Sequence, residues 1–387
     1  MSLLINKIVT TSSIHVSGGA TNYIVETPSG VLYSFFREQS NSDPSFKKSI
    51  NKGLTWSSSV ALKACTTTQI AVWYDRWSGI DADLIHVVYT DSGTSDVFYR
   101  NINAASSDTL STEYTVFAGS STASGGALSI SRMRGGNLIV CGCIDAGTEI
   151  YSKKSTNVGV NWSDIAAGYE AAGNADLCIV TPGWEADNQD AMMFYYDRSA
   201  TEMSVKYYDD SANSWSETSI ATTIALPNHS SVTLGHMAAT VDLANSQNLL
   251  VFWTAADTVN ADLRCFKVTQ SAQTEVTNVI LNAGDGQGFC AISIMGIIWY
   301  IYYLGNTDSS EFYNTTVKSY MKYSIDSGVT WSIQNSFGNA NLGNPDFVFC
   351  NPISYKTNGL AIHSGTSTDI NFISDILIPR ATYQLGI

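Results

Sequence analysis

Three stretches of this chain repeat one eight-residue pattern: Ser49-Ile50-Asn51-Lys52-Gly53-Leu54-Thr55-Trp56, Ser155-Thr156-Asn157-Val158-Gly159-Val160-Asn161-Trp162 and Ser324-Ile325-Asp326-Ser327-Gly328-Val329-Thr330-Trp331. Written S-x-[DN]-x-G-x-[TN]-W, the pattern is the chemistry of a tight turn in a β-hairpin. The Asp or Asn takes hydrogen bonds from backbone N–H groups of the turn, and the Ser adds a second local bond. Gly supplies the positive φ that a side chain disfavours. The Trp is expected to lie under the hairpin as an apolar plug. The residues given a structural role are therefore Ser49, Asn51, Gly53 and Trp56, then Ser155, Asn157, Gly159 and Trp162, then Ser324, Asp326, Gly328 and Trp331. One copy could be any hairpin; three in register mark a repeat fold.

Spacing turns the repeat into a blade count. Trp56 to Trp162 is 106 residues and Trp162 to Trp331 is 169, or two periods of about 53 and three of about 56. An eroded fourth copy, Tyr208-Asp209-Asp210-Ser211-Ala212-Asn213-Ser214-Trp215, sets its Trp one period after Trp162. At about 55 residues per unit, the 387 residues hold seven. Composition fits an all-β chain: charged residues are only 14%, and Gly, Ser, Thr and Asn crowd the gaps between short apolar runs. No run of helical period extends over three turns.

The repeat resembles the Asp-box, or BNR repeat, of sialidase-like β-propellers, and blade one carries the resemblance furthest, in Thr27-Pro28-Ser29-Gly30-Val31-Leu32 followed by Lys47-Lys48-Ser49. That resemblance implies an all-β propeller, a single domain over residues 1–387. Seven blades are expected, with six plus a C-terminal appendage as the alternative. After the third repeat only three apolar runs remain, at Phe347–Phe349, Leu360–Ile362 and Ile370–Ile373, one short of a four-stranded blade. Residues 1–12 contain the strand-like run Leu3–Val9, which is expected to supply the outer strand of the last blade and so remove a frayed edge at the seam.

A net charge of −14 argues against nucleic acid as a partner, because phosphate binding needs a basic face. It gives no attraction to an anionic membrane either. No apolar stretch is long enough to span a bilayer, and the first residues lack the core and cleavage site of a secretory signal. The expectation is a soluble protein made in a cytoplasm, with no membrane insertion. Seven cysteines, mostly inside apolar runs, read as small core residues. The five histidines are scattered, and no Cys/His pairing or D-x-[DN]-x-[DN]-G loop appears, so no metal and no cofactor is expected.

In propellers with this box, the repeat turn joins the third and fourth strands, opposite the usual binding face. That face is built by loops between second and third strands, here Arg37 to Asp43, Asp91 to Asp96, Asp145 to Glu149, Asp197 to Glu202, Ala255 to Asp262 and Gly305 to Thr316. The candidate ligand-binding residues there are Arg37, Asp43, Arg198, Glu311 and Tyr313. Asp43 falls near where the resemblance implies an acid; its leading reading is an ordinary loop-turn residue, with a binding role next. Arg198 reads as a binding residue or as the surface partner of Asp197 or Glu202. Glu311 and Tyr313 could stack on and hydrogen-bond a sugar. The family's first substrate-clamping arginine sits in an R-I-P motif before the first strand, and this chain has Ala20-Thr21-Asn22-Tyr23-Ile24 there. No catalytic residue is assigned.

On the opposite face, Arg76 and Trp77, and Trp184 and Glu185, occupy loops between first and second strands. An aromatic beside charges is the composition of an interface anchor; the alternative is a Trp folded over its own blade. The reading is a non-catalytic propeller that binds glycan or protein assembly partners. A glycoside hydrolase or polysaccharide lyase of the same fold is the alternative. The Ser-, Thr- and Asn-rich style also resembles propeller modules of tailed-phage virions, which serve as tail, nozzle, decoration or receptor-binding components.

Overall fold

The computed structural model describes residues 4–9, 23–38, 40–74, 83–119, 128–144, 149–170, 178–185, 187–197, 200–221, 237–255, 260–284, 290–305, 318–332, 335–337, 348–350, 361–366 and 369–374. Among them every regular element is a strand. The first, β1, is Leu4–Val9. A meander follows of β2 (Ile24–Glu26), β3 (Leu32–Arg37), β4 (Pro44–Ser49) and β5 (Val60–Ala61). The second comprises β6 (Ile70–Tyr74), β7 (Leu84–Asp91), β8 (Asp96–Asn103), the short β9 (Thr109–Leu110) and β10 (Tyr114–Phe117). The third is β11 (Leu128–Arg132), β12 (Leu138–Ile144), β13 (Glu149–Ser155) and β14 (Ser163–Glu170). The fourth is β15 (Cys178–Pro182), β16 (Ala191–Asp197), β17 (Glu202–Asp209) and β18 (Ser214–Ala221). The fifth is β19 (Met237–Asp242), β20 (Gln247–Ala255), β21 (Asn260–Val268) and β22 (Gln273–Gly284). The sixth is β23 (Cys290–Met295), β24 (Ile298–Gly305), β25 (Lys318–Ser324) and β26 (Asn335–Phe337). The last three strands are β27 (Val348–Cys350), β28 (Ala361–Thr366) and β29 (Asp369–Ser374).

The first strands of successive meanders pack on one another in chain order, β2 on β6, β6 on β11, and so on to β23 on β27, which is the arrangement of a β-propeller. Continuous hydrogen bonding groups the strands into six sheets, the alternative blade number. One of the six has eight strands: it joins the third and fourth meanders edge to edge through a single parallel pair, Ala166 opposite Ser214. The expected seven is not the number of sheets, because that pair makes one sheet of two meanders. The seam follows expectation, because β1 pairs antiparallel with β29, Leu4 opposite Ser374 and Ile5 opposite Ile373, as the outermost strand of the last sheet.

Burial explains the strand sequences. Ile70–Tyr74, Cys178–Pro182 and Ala191–Asp197 are buried along their whole length, because both faces of an inner or second strand meet neighbouring sheets and alternation disappears. The outer Val60–Ala61 is exposed. The core is therefore a set of inter-sheet clusters; one holds Tyr23, Phe35, Phe46, Ile70 and Tyr89, and another holds Leu249, Trp253, Cys290 and Trp299. Cys141, Cys178, Cys265 and Cys290 are buried, and Cys65 is half-buried. No helix among the described residues is long and apolar enough to cross a membrane.

The three repeat turns share one geometry. Gly53, Gly159 and Gly328 adopt φ of 82°, 83° and 84°. Each donates its N–H to the first Ser of its repeat, Ser49, Ser155 or Ser324, at 2.8 Å. The Oδ1 of Asn51, Asn157 and Asp326 accepts the backbone N–H four residues on at 2.9 Å in every copy. The glycines are needed for space as well as for φ: a Cβ on Gly159 would lie 2.0 Å from the Tyr99 ring, and one on Gly328 would lie 2.7 Å from Trp299. The tryptophans depart from expectation. Trp56, Trp162 and Trp331 are half-buried rather than sealed, packing at the margins of their clusters, with Trp162 edge-on to Tyr99 at 5.5 Å. In the eroded copy, Asp209 binds Ser211 and the Ala212 N–H instead, and the positive φ moves to Asn213.

Candidate functional site

The loop face opposite the repeat turns is best defined where the first and second meanders meet. The β3–β4 loop closes on itself through Glu38 N–H to Asp43 O and Ser42 N–H to Glu38 O, both 2.9 Å. The link from β5 to β6 is then tied to this loop: Cys65 N–H donates to Asp43 Oδ1 at 2.8 Å, Thr67 N–H to Ser42 O at 3.0 Å, and Arg37 Nη1 to Thr67 O at 3.3 Å. Thr90 continues the tie by accepting the N–H groups of Thr68 and Gln69. These bonds recruit backbone donors of a segment without a strand partner, which would otherwise be left unpaired.

Charge gathers beside this tie. Lys63 Nζ sits 3.2 Å from Asp91 and 3.1 Å from Glu113, and 3.5 Å above the centre of the Phe98 ring. The Tyr89 hydroxyl donates to the other Glu113 oxygen at 2.6 Å. Burial opposes the Lys63 charge, but its bonds to Glu113 and Asp91 outweigh that and raise its pKa. Burial and Glu113 together raise the Tyr89 phenol far above its usual value, and burial with Asp91 nearby pushes the Cys65 thiol up to about 12. Neither can serve as a ready base or nucleophile at neutral pH.

Arg37 differs from its neighbours. It ends β3, is half-buried, and makes one hydrogen bond among the described residues, to the Thr67 carbonyl. Its Nε is buried with no partner, and no carboxylate lies within ion-pairing distance among the described residues. Burial lowers its pKa, although a guanidinium keeps its charge at any pH of interest.

Asp43, the other candidate of this loop, is 6% exposed, and its two oxygens are taken by Cys65 N–H and the Asn41 amide. A carboxylate so used holds a loop. At the fourth meander, Asp197, Glu202 and Glu217 bring one oxygen each within 4.8 Å of one another, and Tyr195 donates to Glu217. Sequence alone did not find this acidic corner, because Glu217 lies a strand away from the loop. Arg198, expected near Asp197 and Glu202, lies outside the described residues, as do Glu311 and Tyr313.

Of the candidates expected on the repeat-turn face, Arg76 and Trp77 lie outside the described residues. Trp184 is folded against the fifth meander: its indole N–H donates to Asn248 Oδ1 at 3.2 Å, while Arg134 covers its ring at 5.3 Å. Glu185 accepts the Trp184 N–H at 2.9 Å. Arg134, not singled out by sequence, holds this loop through the carbonyls of Gly183 and Glu185.

No protein-family model and no curated protein matches the chain. Solved structures do. A PL25 ulvan lyase bound to -[GlcA(1-4)Rha3S]- superposes with a TM-score of 0.60 at 8% identity, covering 96% of each chain. The polysaccharide lyase Uly1 gives 0.54 at 10% identity over 97% of this chain and 99% of its own. The Hadza microbial sialidase Hz136 gives 0.51 at 13%, over 94% and 67%. At such identities the likeness is one of fold: this chain has the β-propeller architecture that these sugar-acting enzymes share.

Proposed function

We propose that this protein binds acidic glycan at the loop face of its first two meanders, without chemistry of its own. The observation that carries the reading is Arg37, a half-buried cation with unmet donors and no carboxylate partner among the described residues. A sugar carboxylate or sulfate would supply charge-assisted bonds to it. Three solved propellers of similar fold act on polysaccharide or sialoside according to their names, which agrees with a sugar ligand. Binding is favoured over cleavage because Tyr89 is held protonated and Asp43 is committed to its loop. The setting proposed with it, a component of a tailed-phage particle, rests on composition alone and is tested by whether the protein co-purifies with particles.

Calorimetry with polygalacturonate and with neutral dextran tests the reading. Polygalacturonate should bind and dextran should not, and Arg37→Gln should weaken binding by about tenfold or more, the worth of one hydrogen bond to a charged group. Equal affinity in the variant would remove Arg37 from the site. Release of unsaturated or reducing sugar during the titration would replace the non-catalytic reading with the lyase or hydrolase alternative.

A further inference from the structure

We propose that two copies of this chain associate through the repeat-turn ends of the fifth and sixth meanders. Eight large apolar side chains are exposed among the described residues, and seven of them, all but Val60, stand in turns on the repeat-turn face. Scattered singly they would need no explanation. Four converge. Ile297 is 60% exposed, Val329 72%, Ile325 47% and Leu243 43%. Trp299 pairs with Ser324 in the β24–β25 ladder, so Ile297 and Ile325 leave the same end of the sheet side by side. Val329 closes the turn that starts at Ile325, through its N–H to Asp326 O. The turn holding Leu243 is tied to this one by Asn245 Nδ2 donating to Ser327 Oγ at 3.4 Å.

Charge indicates the occupant. The neighbouring turns 243–246, 269–272 and 296–297 contain no charged residue, in a chain whose net charge is −14. Two such chains repel, and their approach costs least where the surface is neutral. The carboxylate inside the patch, Asp326, is bonded within its own turn to Ser324 and Thr330, and Lys267 beside it lies 5.4 Å above the Trp299 ring with no ion-pair partner among the described residues. A two-fold contact needs a self-complementary surface. An apolar centre ringed by uncharged turns is such a surface, whereas a partner of strong single-sign charge would find no counterpart there.

Sedimentation velocity over micromolar to millimolar protein tests this. The wild type should pass from monomer to dimer with concentration. Ile297→Asp with Val329→Asp, both at exposed turn positions, should weaken dimerisation by about tenfold per residue or more while leaving the thermal midpoint near that of the wild type. Leu54→Asp, an equally exposed apolar residue on the turn of the first meander, should leave the dimer intact. A chain that stays monomeric throughout, a double variant that associates like the wild type, or a Leu54 variant that dissociates equally would each overturn the proposal.

Discussion

The two faces of this propeller are built differently. On one, turns at Ser49, Ser155 and Ser324 repeat their hydrogen bonds to the same distances, with 2.8 Å from each glycine N–H to its serine in all three. On the other, the loop after β3 is held by Asp43 and Arg37, whereas at the end of β16 Asp197 meets Glu202 and Glu217 of the next two strands in an acidic corner. A turn pressed onto a core ring can vary little. A loop pinned only at its ends can carry any chemistry, which is where binding residues collect. The contrast predicts that substitutions on the turn face act through stability, and those on the loop face through ligand.

The sharpest break of that contrast is Gly159→Val. The position needs φ of 83°, and its Cβ would enter the Tyr99 ring. Backbone strain and overpacking, each about 1–3 kcal/mol, should together cost about 4 kcal/mol, read as a fall in urea midpoint. An unchanged midpoint would mean the turn does not press on Tyr99 as described.

Acid should produce the next largest effect, beneath the same turn. His86 is fully buried, its Nδ1 paired with the Tyr99 hydroxyl at 2.7 Å and its Nε2 without a partner among the described residues. Burial, with the Arg132 charge adding to it, lowers its pKa to about 3. The unfolded chain takes up a proton near 6.5, the native chain only near 3. The unfolded state thus holds more protons between those values, and stability must fall as pH drops through that window. From pH 7 to pH 4 the loss from this residue should be about 3 kcal/mol. His86→Phe removes the titration, so its stability should decline by that much less over the same range; parallel curves would show that His86 is not the group responsible.

Much of this was legible beforehand, for physical reasons. The turn bonds are local, running between residues two to four apart such as Ser155 and Gly159, so spacing in sequence revealed them. The closing strand was legible because the last blade lacked one, and β1 fills it. Blade number was harder: it turns on the single Ala166–Ser214 pair between outer strands, which no pattern encodes. Asp43 was found by its loop, but its partner, Cys65 N–H, is 22 residues on, and such a bond has no periodicity. The patch of Leu243, Ile297 and Val329 is not legible in the sequence because its members sit in three separate turns that only folding brings together.

The smallest effect tests what Asp43 is for. If it is a loop residue, Asp43→Ala should remove the acceptor for Cys65 N–H and release the Asn41 amide, costing about 1–2 kcal/mol of stability. Polygalacturonate affinity should fall only as far as Arg37 loses its place beside Thr67. Asp43→Asn keeps one acceptor oxygen and should recover part of the stability. A fluorogenic sialoside completes the test, since the first clamping arginine of sialidases has no counterpart at Ala20–Ile24 and no turnover is expected between pH 4 and 8. Turnover by the wild type that vanishes in Asp43→Asn while its folding stays intact would make Asp43 an acid, and the loop face of the first meander a catalytic one.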